Sequence, residues 1–418
     1  MNKIKYIHIF FLALTIRLLY LATAHLFNIS PTDCCDWSRY DQLSTQILVG
    51  NYNMDGGSFI VAPIFPLFVS LIKFVSYENT FLIIQLIQTL ISSFSVYFLM
   101  KSSDIIFEKK ILSIFVGIIF SLYPFTFWFV VYMGQETFFQ SFLIISFYYL
   151  LKFMKYKKFR DFTCFSIIFG ITLLTKSHII LFVPFLFFIL LINYKDILKS
   201  LVYFVIFILI VFITCLPQSI NNKNYNNYHV LSTTGVGLHF LVGHNDEFYK
   251  MITAPPKKNS EEYKRIWSMD YKVAKETKKN NKSLNHKELD KVRFYVGLNW
   301  ILNNPSKATK LIFMNIKNFL QPGFNKLHHD GLKWLVSFII SFPIYILAYY
   351  AIIKNIFHNY KKHTLIISLF FTMFIFSTIF YTQNRFRVIT IEPYYLMYAS
   401  YSIYQIYNYL KNKKIINF

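Results

Sequence analysis

The chain has 418 residues, of which 55% are hydrophobic, 20% aromatic and only 15% charged, and its formal net charge is +23. Soluble domains carry about 25% charged residues, so this composition excludes an ordinary soluble protein and indicates a membrane protein. The positive charge does not indicate nucleic-acid binding, because the lysines lie mostly in short segments between apolar runs, where membrane topology accounts for them.

Apolar runs along the chain approach the length of about 20 residues that a membrane-spanning helix needs. The first run is too long for a signal peptide and no small-residue cleavage pattern follows it, so it is predicted to be a retained span. The ten predicted spans are 6–27, 80–100, 111–131, 137–154, 162–175, 178–193, 200–217, 334–353, 364–381 and 388–410. A shorter apolar stretch, 62–76, contains Pro63 and Pro66 and is predicted to be a re-entrant or interfacial helix.

The distribution of Lys and Arg predicts the orientation of these spans. With the N-terminus inside, the short inside segments carry several-fold more Lys and Arg than the short outside segments, and cytoplasmic loops are the ones enriched in these residues. We therefore expect both termini in the cytoplasm of a multi-pass protein of the plasma (inner) membrane. The stretch 162–193 could also form one long tilted helix, which would invert everything after it, but the charge pattern favours two short spans.

The predicted fold class is an all-α polytopic membrane protein with three regions. Residues 1–217 form an N-terminal membrane core, in which the first outside loop, 28–79, contains short helices. Residues 218–333 form a larger polar outside segment, rich in lysine in its middle. Residues 334–418 form a C-terminal membrane segment of three helices.

Acidic residues are scarce, and a group of them follows the first predicted span. They are Asp33, Asp36, Asp41 and Asp55. Asp36, Tyr40 and Ser44 have the spacing of one helix face. A carboxylate at this membrane boundary can act as a general base on a hydroxyl or amine. The alternative is a solvated loop whose aspartate caps a helix.

Glu136 is predicted at the outside junction of two spans. An acid at the membrane edge is costly unless it is paired or functional, so Glu136 is a candidate for catalysis, metal binding or pairing with a cation. The alternative is an acid placed at the start of a helix, where the helix dipole favours negative charge.

Cationic side chains are predicted on the same side of the membrane. Lys176 and His178 interrupt the stretch 162–193, and Arg385 and Arg387 precede the last span. Arginine suits a phosphate group, because its guanidinium donates two hydrogen bonds at once. The alternative is that these side chains reach toward ordinary lipid phosphates.

Several sequence signals of other enzyme classes are absent. The sequence has no glycine-rich phosphate loop, no dinucleotide fingerprint and no His-Glu-x-x-His zinc motif. Its four cysteines lack the spacing of a metal knuckle or a redox pair. Any energy-rich donor is therefore expected to arrive through the membrane.

The residues resemble those of the GT-C fold membrane glycosyltransferases, in particular the group of dolichyl-phosphate-mannose–protein mannosyltransferases and aminoarabinose transferases (glycosyltransferase family 39-like). The resemblance is spread over most of the chain in short motifs. They are Arg17; Asp36 to Tyr40 with Ser44, Ile47 and Gly50; Ala62, Pro63 and Pro66; Glu136 with Phe138 and Phe139; Leu174 to Lys176; Ser232 to Gly235 with Gly243, His244 and Asn245; Asn304 and Pro305 with Lys310 and Lys317; and Arg385 to Arg387 with Pro393.

This resemblance implies a donor, an acceptor and a mechanism. The donor would be a polyprenyl-phosphate-linked sugar, and the acceptor a lipid, glycan or protein on the outer (periplasmic) face of the membrane. Asp36 would be the catalytic base in an inverting displacement, with Glu136 as a second catalytic carboxylate. A divalent metal near these carboxylates is compatible with the mechanism, which requires no cofactor.

The resemblance also implies roles for further residues. Arg385, Arg387 and Lys176 would bind the donor phosphate. Substrate contacts would come from Tyr40, His178, His244 and Asn245. Other partners would be membrane lipids and not nucleic acid.

Two other functions stay open at the level of sequence. A polymerase or ligase of surface polysaccharide would depend on Arg and His in the long outside segment, for example His239, His244 or Arg293, and would not need Asp36. A lipid-linked sugar transporter would show polar residues along mid-membrane positions and inverted repeats, of which the sequence offers only Arg17.

Overall fold

A computed structural model describes residues 5–32, 36–52, 61–226, 229–233, 235–254, 261–325, 329, 331–381 and 383–413, without the side chains of 225–226 and 262–271. Every regular element in these ranges is a helix, in agreement with the predicted all-α class. The helices are α1 Tyr6–Leu26, α2 Trp37–Leu48, α3 Ile64–Val75, α4 Thr80–Phe107, α5 Lys110–Leu122, α6 Glu136–Tyr156, α7 Phe159–Leu173, α8 Val183–Tyr194, α9 Ile197–Asn226, α10 Val236–Gly243, α11 Asp246–Thr253, α12 Glu261–Asn280, α13 His286–Asn303, α14 Pro305–Leu320, α15 Gly331–Asn359, α16 Thr364–Ile379, α17 Asn384–Thr390 and α18 Glu392–Asn412.

Six helical segments among the described residues are long and apolar enough to cross a membrane. They are Tyr6–Leu26, Thr80–Phe107, Glu136–Tyr156, Ser177–Tyr194, Ile197–Asn224 and Gly331–Ile379. A seventh results if α5 and the turns at Pro124–Val130, bent by 75° from it, count as one broken span. The predicted number of ten spans is not confirmed. Helix α7 has only 15 residues, α18 is rich in tyrosine and polar residues, and α15 and α16 fall within one segment.

The stretch 162–193 folds as a hairpin and not as one long helix. Helix α7 ends at Leu173, and a 3₁₀ turn, Ser177–Phe182, leads into α8. Lys157, just before α7, contacts the Asn193 side chain and lies over the Tyr194 ring, with Nζ 4.5 Å from the ring centroid. The start and the end of this stretch therefore meet, which excludes the single tilted helix. Of the two halves, Ser177–Tyr194 is a candidate span in the described residues and α7 is not.

The helices run between two ends of the bundle. One end gathers the charged pairs Lys155–Glu108, Lys362–Glu108 and Lys152–Asp161, with N–O distances of 3.0, 3.7 and 3.0 Å. We call it the lysine-rich end. Helix α6 runs from Glu136, at the opposite end, to Tyr156 beside Lys155. Its 21 residues correspond to about 30 Å at the usual helical rise.

Aromatic and aliphatic side chains fill the interior of the bundle. Helix α6 packs between α4 and α7, and α18 packs against α15 and α5. One continuous core includes Phe147, Phe165 and Tyr394. Helix α9, by contrast, exposes large apolar side chains such as Leu209 and Ile213. Such an exposed apolar face suits contact with lipid.

Helices α2 and α3 form a small unit after α1. Tyr40 of α2 is buried edge-on against Phe65 of α3, and Lys73 Nζ lies 2.7 Å from Asp41 Oδ1. Helix α3 is apolar and has 12 residues, which is short for a span. Its length agrees with the predicted interfacial helix. This unit places the start of α2, and with it Asp36, beside the bundle.

Helices α10 to α14 lie within the range 218–333, for which the sequence predicts a polar segment. Helix α10 lies against α13, and the Asp290 carboxylate accepts hydrogen bonds from the backbone N–H groups of Gly237 and Leu238, at 3.1 and 3.0 Å. A Cβ on Gly237 would collide with the backbone carbonyl of Asp290, so only glycine permits this close approach. This packing holds α10 against α13.

Candidate active site

Asp36 lies at the start of α2 in a left-handed backbone conformation, with φ of 64°. Its carbonyl accepts the Arg39 N–H at 3.0 Å, but its carboxylate makes no helix-capping hydrogen bond. The carboxylate instead faces Arg385, whose Nη1 lies 3.3 Å from Asp36 Oδ2. The capping alternative considered from the sequence therefore does not describe Asp36, and its side chain remains 48% exposed.

Arg385 also reaches a second carboxylate. Its Nη1 lies 3.7 Å from Glu136 Oε1, and Lys176 Nζ lies 2.9 Å from the same oxygen. Glu136 is the first residue of α6 and is fully buried. A buried carboxylate requires compensation, and two cations provide it here. The guanidinium of Arg385 thus lies between Asp36 and Glu136.

Lys176 lies in the short connection between the end of α7 and the 3₁₀ turn at Ser177–Phe182. It is buried, and its ammonium lies 5.0 Å from the centroid of the Phe386 ring. Burial lowers the pKa of Lys176, and the neighbouring Glu136 carboxylate opposes that effect. Lys176 therefore lies between the cavity and the buried Glu136 carboxylate.

The electrostatics of this group favour an ionised Asp36. Burial acts to raise the pKa of Asp36, but the positive charges of Arg385, Lys176 and Arg39 outweigh it, and the pKa falls below its ordinary value. Three cations face two carboxylates, so the group carries one excess positive charge. Such a group can accommodate an anionic ligand without leaving a carboxylate unpaired.

Asp36 and the three cations line a cavity of about 520 Å³, and the buried Glu136 lies behind its wall. One part of its wall is polar, and it includes Asp36, Arg39, Tyr40, Gln135, Lys176, His178, His239, Tyr381 and Arg385. The other part is apolar, and it includes Leu173, Ile180, Leu181, Leu231, Val236, Phe376 and Phe380. Ile180 and Val236 are exposed at the edge. The cavity therefore fits an amphiphile with an anionic group at its polar wall.

Comparison with known families adds an independent observation. Residues 60–220 match the family model of dolichyl-phosphate-mannose-protein mannosyltransferases. No curated protein matches the chain. The match includes Glu136 and Lys176 and ends before Arg385. Together with the apolar helices, it supports a membrane glycosyltransferase of the GT-C type.

Tyr40 and His178, predicted to contact substrate in such a transferase, both line the cavity. Tyr40 is almost completely buried, so only a small part of its ring reaches the cavity. His178 packs among the rings of Phe139, Phe376 and Phe386. One of its nitrogens lies 3.3 Å from the Thr390 hydroxyl. Both residues shape the cavity wall.

The structure does not bring His244 and Asn245 to the cavity. His244 Nδ1 lies 2.9 Å from the Phe240 carbonyl, and its ring packs against Phe240. The Asn245 side chain caps α11 by accepting the Phe248 N–H at 2.9 Å. Both residues make local contacts at the turn that joins α10 to α11, and their predicted contact with substrate stays a prediction.

Arg387 also lies away from the cavity, in contrast to the predicted phosphate contact. Its side chain is almost completely buried, and its Nε lies 3.0 Å from Glu392 Oε1. Its terminal nitrogens donate to the backbone carbonyls of Asn318, Phe319, Gln321 and Gly323, at 3.2, 3.3, 2.6 and 2.6 Å. These hydrogen bonds tie α17 to the end of α14. They occupy the N–H groups with which Arg387 would otherwise bind a phosphate.

Three residues of the cavity were missed by the sequence-based site prediction or assigned to another function. Arg39 follows Asp36 by three residues, a helical spacing that could have identified it. His239 was associated only with the polymerase alternative, and one of its ring nitrogens lies 3.1 Å from the Tyr381 hydroxyl. Tyr381 has no motif of its own, so no sequence signal identified it.

The two carboxylates are also the candidate metal ligands. Within the described ranges, no group of three His, Cys, Asp or Glu side chains has the spacing to hold a metal ion. Asp33 and Asp55 lie outside the described residues. Asp36 is paired with Arg385, and Glu136 with Lys176 and Arg385, in this arrangement.

Proposed function

We propose that the chain transfers a sugar from a polyprenyl-phosphate-linked donor to a lipid, glycan or protein acceptor on the outer face of the membrane. One observation carries the proposal: Asp36 faces Arg385 at 3.3 Å at the polar wall of a cavity whose other wall is apolar. A base and a phosphate-binding cation are the two groups that such a transfer needs in one place.

The donor would lie across both walls of the cavity. Its polyprenyl chain would contact the apolar wall, near Leu231 and Phe380, and its phosphate would meet Arg385 and Lys176. Guanidinium groups bind phosphate through two parallel hydrogen bonds. The excess positive charge of the group favours this single anionic ligand.

The reaction would be a direct displacement at the anomeric carbon. The acceptor oxygen or nitrogen forms a bond to that carbon, and the bond from the carbon to the phosphate oxygen breaks. The acceptor's proton passes to Asp36, and the electron pair of the broken bond leaves with the polyprenyl phosphate, which Arg385 and Lys176 stabilise. A single displacement inverts the anomeric configuration.

Arg385 would change partners during this cycle. In the donor-free arrangement it pairs with Asp36. A donor phosphate would compete for the guanidinium and release the carboxylate as a stronger base, since loss of a nearby positive charge raises a carboxyl pKa. Glu136 would remain a positioning residue for both cations. The two cations supply the positive charge that the leaving phosphate needs, so the mechanism has no requirement for a divalent metal.

The test is transfer by the purified full chain in liposomes that contain polyprenyl-phosphate-linked sugars. We expect release of polyprenyl phosphate with formation of a glycoside of inverted anomeric configuration, which nuclear magnetic resonance of the product measures. A product of retained configuration, or movement of the donor across the bilayer without any covalent product, would contradict the proposal.

A polysaccharide polymerase or ligase is the second candidate, and the position of His239 in the cavity favours it. Burial lowers the pKa of His239 to about 4, so its ring is neutral near pH 7 but is a weaker base than an ordinary histidine. The His239→Gln variant separates the two candidates. Its transfer activity is retained if Asp36 is the base and lost if His239 is.

A further inference from the structure

Two further cavities lie at the lysine-rich end of the bundle. The length of α6 places them about 30 Å from the end that contains Asp36. The larger has a volume of about 640 Å³, and its polar lining consists of Tyr6, Tyr97, the lysines Lys5, Lys101, Lys110 and Lys155, and the carboxylates Asp104 and Glu108. A smaller cavity of about 370 Å³ adjoins it, and the two share Lys101 and Asp104. Neither contains a residue of the proposed sugar-transfer site.

Lys101 provides an available positive charge between these cavities. Its ammonium lies 5.0 and 5.7 Å from the ring centroids of Tyr6 and Tyr97. Asp104, one turn further along α4, is occupied by hydroxyl groups: Tyr6 donates to one of its oxygens, and Ser113 donates to the other at 2.6 Å. In the part of the chain that the structure describes, no carboxylate forms an ion pair with Lys101 or Lys110.

An apolar surface continues from the larger cavity toward the middle of the bundle. On α1, Ile7 lines the cavity and Phe11, one turn further, is 55% exposed. On α4, Phe94 is 46% exposed and lies on the helix face of Tyr97 and Lys101. Helices α1 and α4 pack together, so their exposed apolar side chains border one groove.

We propose that this groove binds an anionic phospholipid of the adjacent leaflet. The phosphate would lie at Lys101 and Lys110, and the acyl chains would lie along Ile7, Phe11 and Phe94. Basic pockets between membrane helices are suited to lipid headgroups, and tyrosines at this level suit the membrane interface. Among the described residues, Lys101 and Lys110 form no ion pair and lysines outnumber carboxylates in the lining of the larger cavity. Together with the continuous apolar surface, this favours a lipid over a free phosphate ion, which would gain nothing from the groove.

The test measures lipid retention by the purified full chain with native mass spectrometry. Phosphatidylglycerol is the probe, phosphatidylcholine is the neutral comparison, and inorganic phosphate is the competitor. Each lysine near an anionic lipid contributes about 1 kcal/mol, or about fivefold in affinity. We therefore expect about fivefold weaker phosphatidylglycerol binding in Lys101→Gln and in Lys110→Gln. Lys110 is exposed, so its substitution leaves the fold intact.

The matched control is Lys361→Gln. Lys361 is exposed at the same end, next to the Lys362–Glu108 pair, and lies outside both cavities. We expect this variant to bind phosphatidylglycerol like the wild-type chain, and inorganic phosphate not to compete. Equal loss in the control would mean diffuse surface charge. Competition by phosphate would mean a small-anion site, and equal retention of phosphatidylcholine would mean no headgroup recognition. Each of these results, or unchanged binding in both cavity variants, overturns the proposal.

Discussion

Two regions of the molecule contain an arginine paired with a carboxylate, and they differ in how completely that arginine is surrounded. In the cavity, the Arg385 side chain is 28% exposed and lies between Asp36 and Glu136. In the cluster around Arg387, the arginine side chain is 2% exposed, and its guanidinium is occupied by Glu392 and backbone carbonyls. Both arginines belong to the short helix α17.

The difference separates a charge that can bind a ligand from one that holds the fold. Arg387 donates from all three of its nitrogens within the protein. Arg385 keeps part of its guanidinium facing the cavity, where its partner Asp36 is itself half-exposed. Residues two apart on a helix point to nearly opposite sides. One turn of α17 therefore directs Arg385 toward the cavity and Arg387 toward the buried cluster.

The largest expected effect on the folded state is that of Arg387→Gln. The substitution leaves Glu392 buried without its cation and removes donors from backbone carbonyls, and breaking a buried pair costs about 3–5 kcal/mol. We expect loss of monodisperse protein on size-exclusion chromatography in mild detergent, and a lower thermal unfolding midpoint. A variant of wild-type stability that had lost sugar transfer would instead place Arg387 at the substrate.

Arg385→Gln should slow sugar transfer and leave the amount of folded protein nearly unchanged, the opposite of Arg387→Gln. Removing one charge-stabilising donor at a reaction centre costs about 100-fold in rate, whereas a partly exposed arginine contributes little to folding. We expect near-normal amounts of folded protein with about 100-fold slower transfer. Arg385→Lys should recover part of the rate, because it keeps the charge without the planar fork. A fully active Arg385→Gln variant would exclude a phosphate contact.

Glu136→Gln should have a smaller effect, and mainly on the donor. Glu136 holds Lys176 and Arg385. In metal sites, loss of a partner that positions a ligand costs about 10–100-fold in affinity, and we expect the lower end of that range here. We expect the KM for the donor to rise about tenfold while kcat changes little. A fall in kcat with an unchanged KM would indicate that Glu136 takes part directly in the chemistry.

The smallest expected effect is that of pH. The lowered pKa of Asp36 keeps its carboxylate ionised to more acidic pH than usual, and His239, with a pKa of about 4, stays neutral above that value. Neither group changes its charge between about pH 5 and pH 8, so kcat/KM should be flat across that interval. An acid limb within that interval would contradict this expectation, because it would show that a group other than Asp36 and His239 limits the reaction.

Much of the helical arrangement could be predicted from the apolar runs. The first, second and fourth predicted spans agree with α1, α4 and α6 to within a few residues, apart from the longer C-terminal end of α4. The number of spans could not be predicted, because a bent element such as α5 with its following turns, or a tyrosine-rich helix such as α18, has no single hydropathy pattern.

The candidate site was predicted in part. Asp36 and Arg385 are separated by 349 positions, and only the resemblance to a family placed them together. The sequence could not distinguish Arg385 from Arg387, because the direction of each side chain depends on how α17 packs against α14. It could not show that His244 and Asn245 serve a helix junction, because their polar side chains suit a cap or a ligand equally well.

The most direct test of the central claim is the transfer rate of Asp36→Asn compared with Asp41→Asn in liposomes containing the donor. Asp41 lies on the same helix and pairs with Lys73 away from the cavity, so its variant controls for the loss of a charge on α2. We predict that Asp36→Asn loses at least about 100-fold in transfer rate at normal abundance and with donor binding retained, and that Asp41→Asn stays active. Transfer by Asp36→Asn at the wild-type rate would contradict the account.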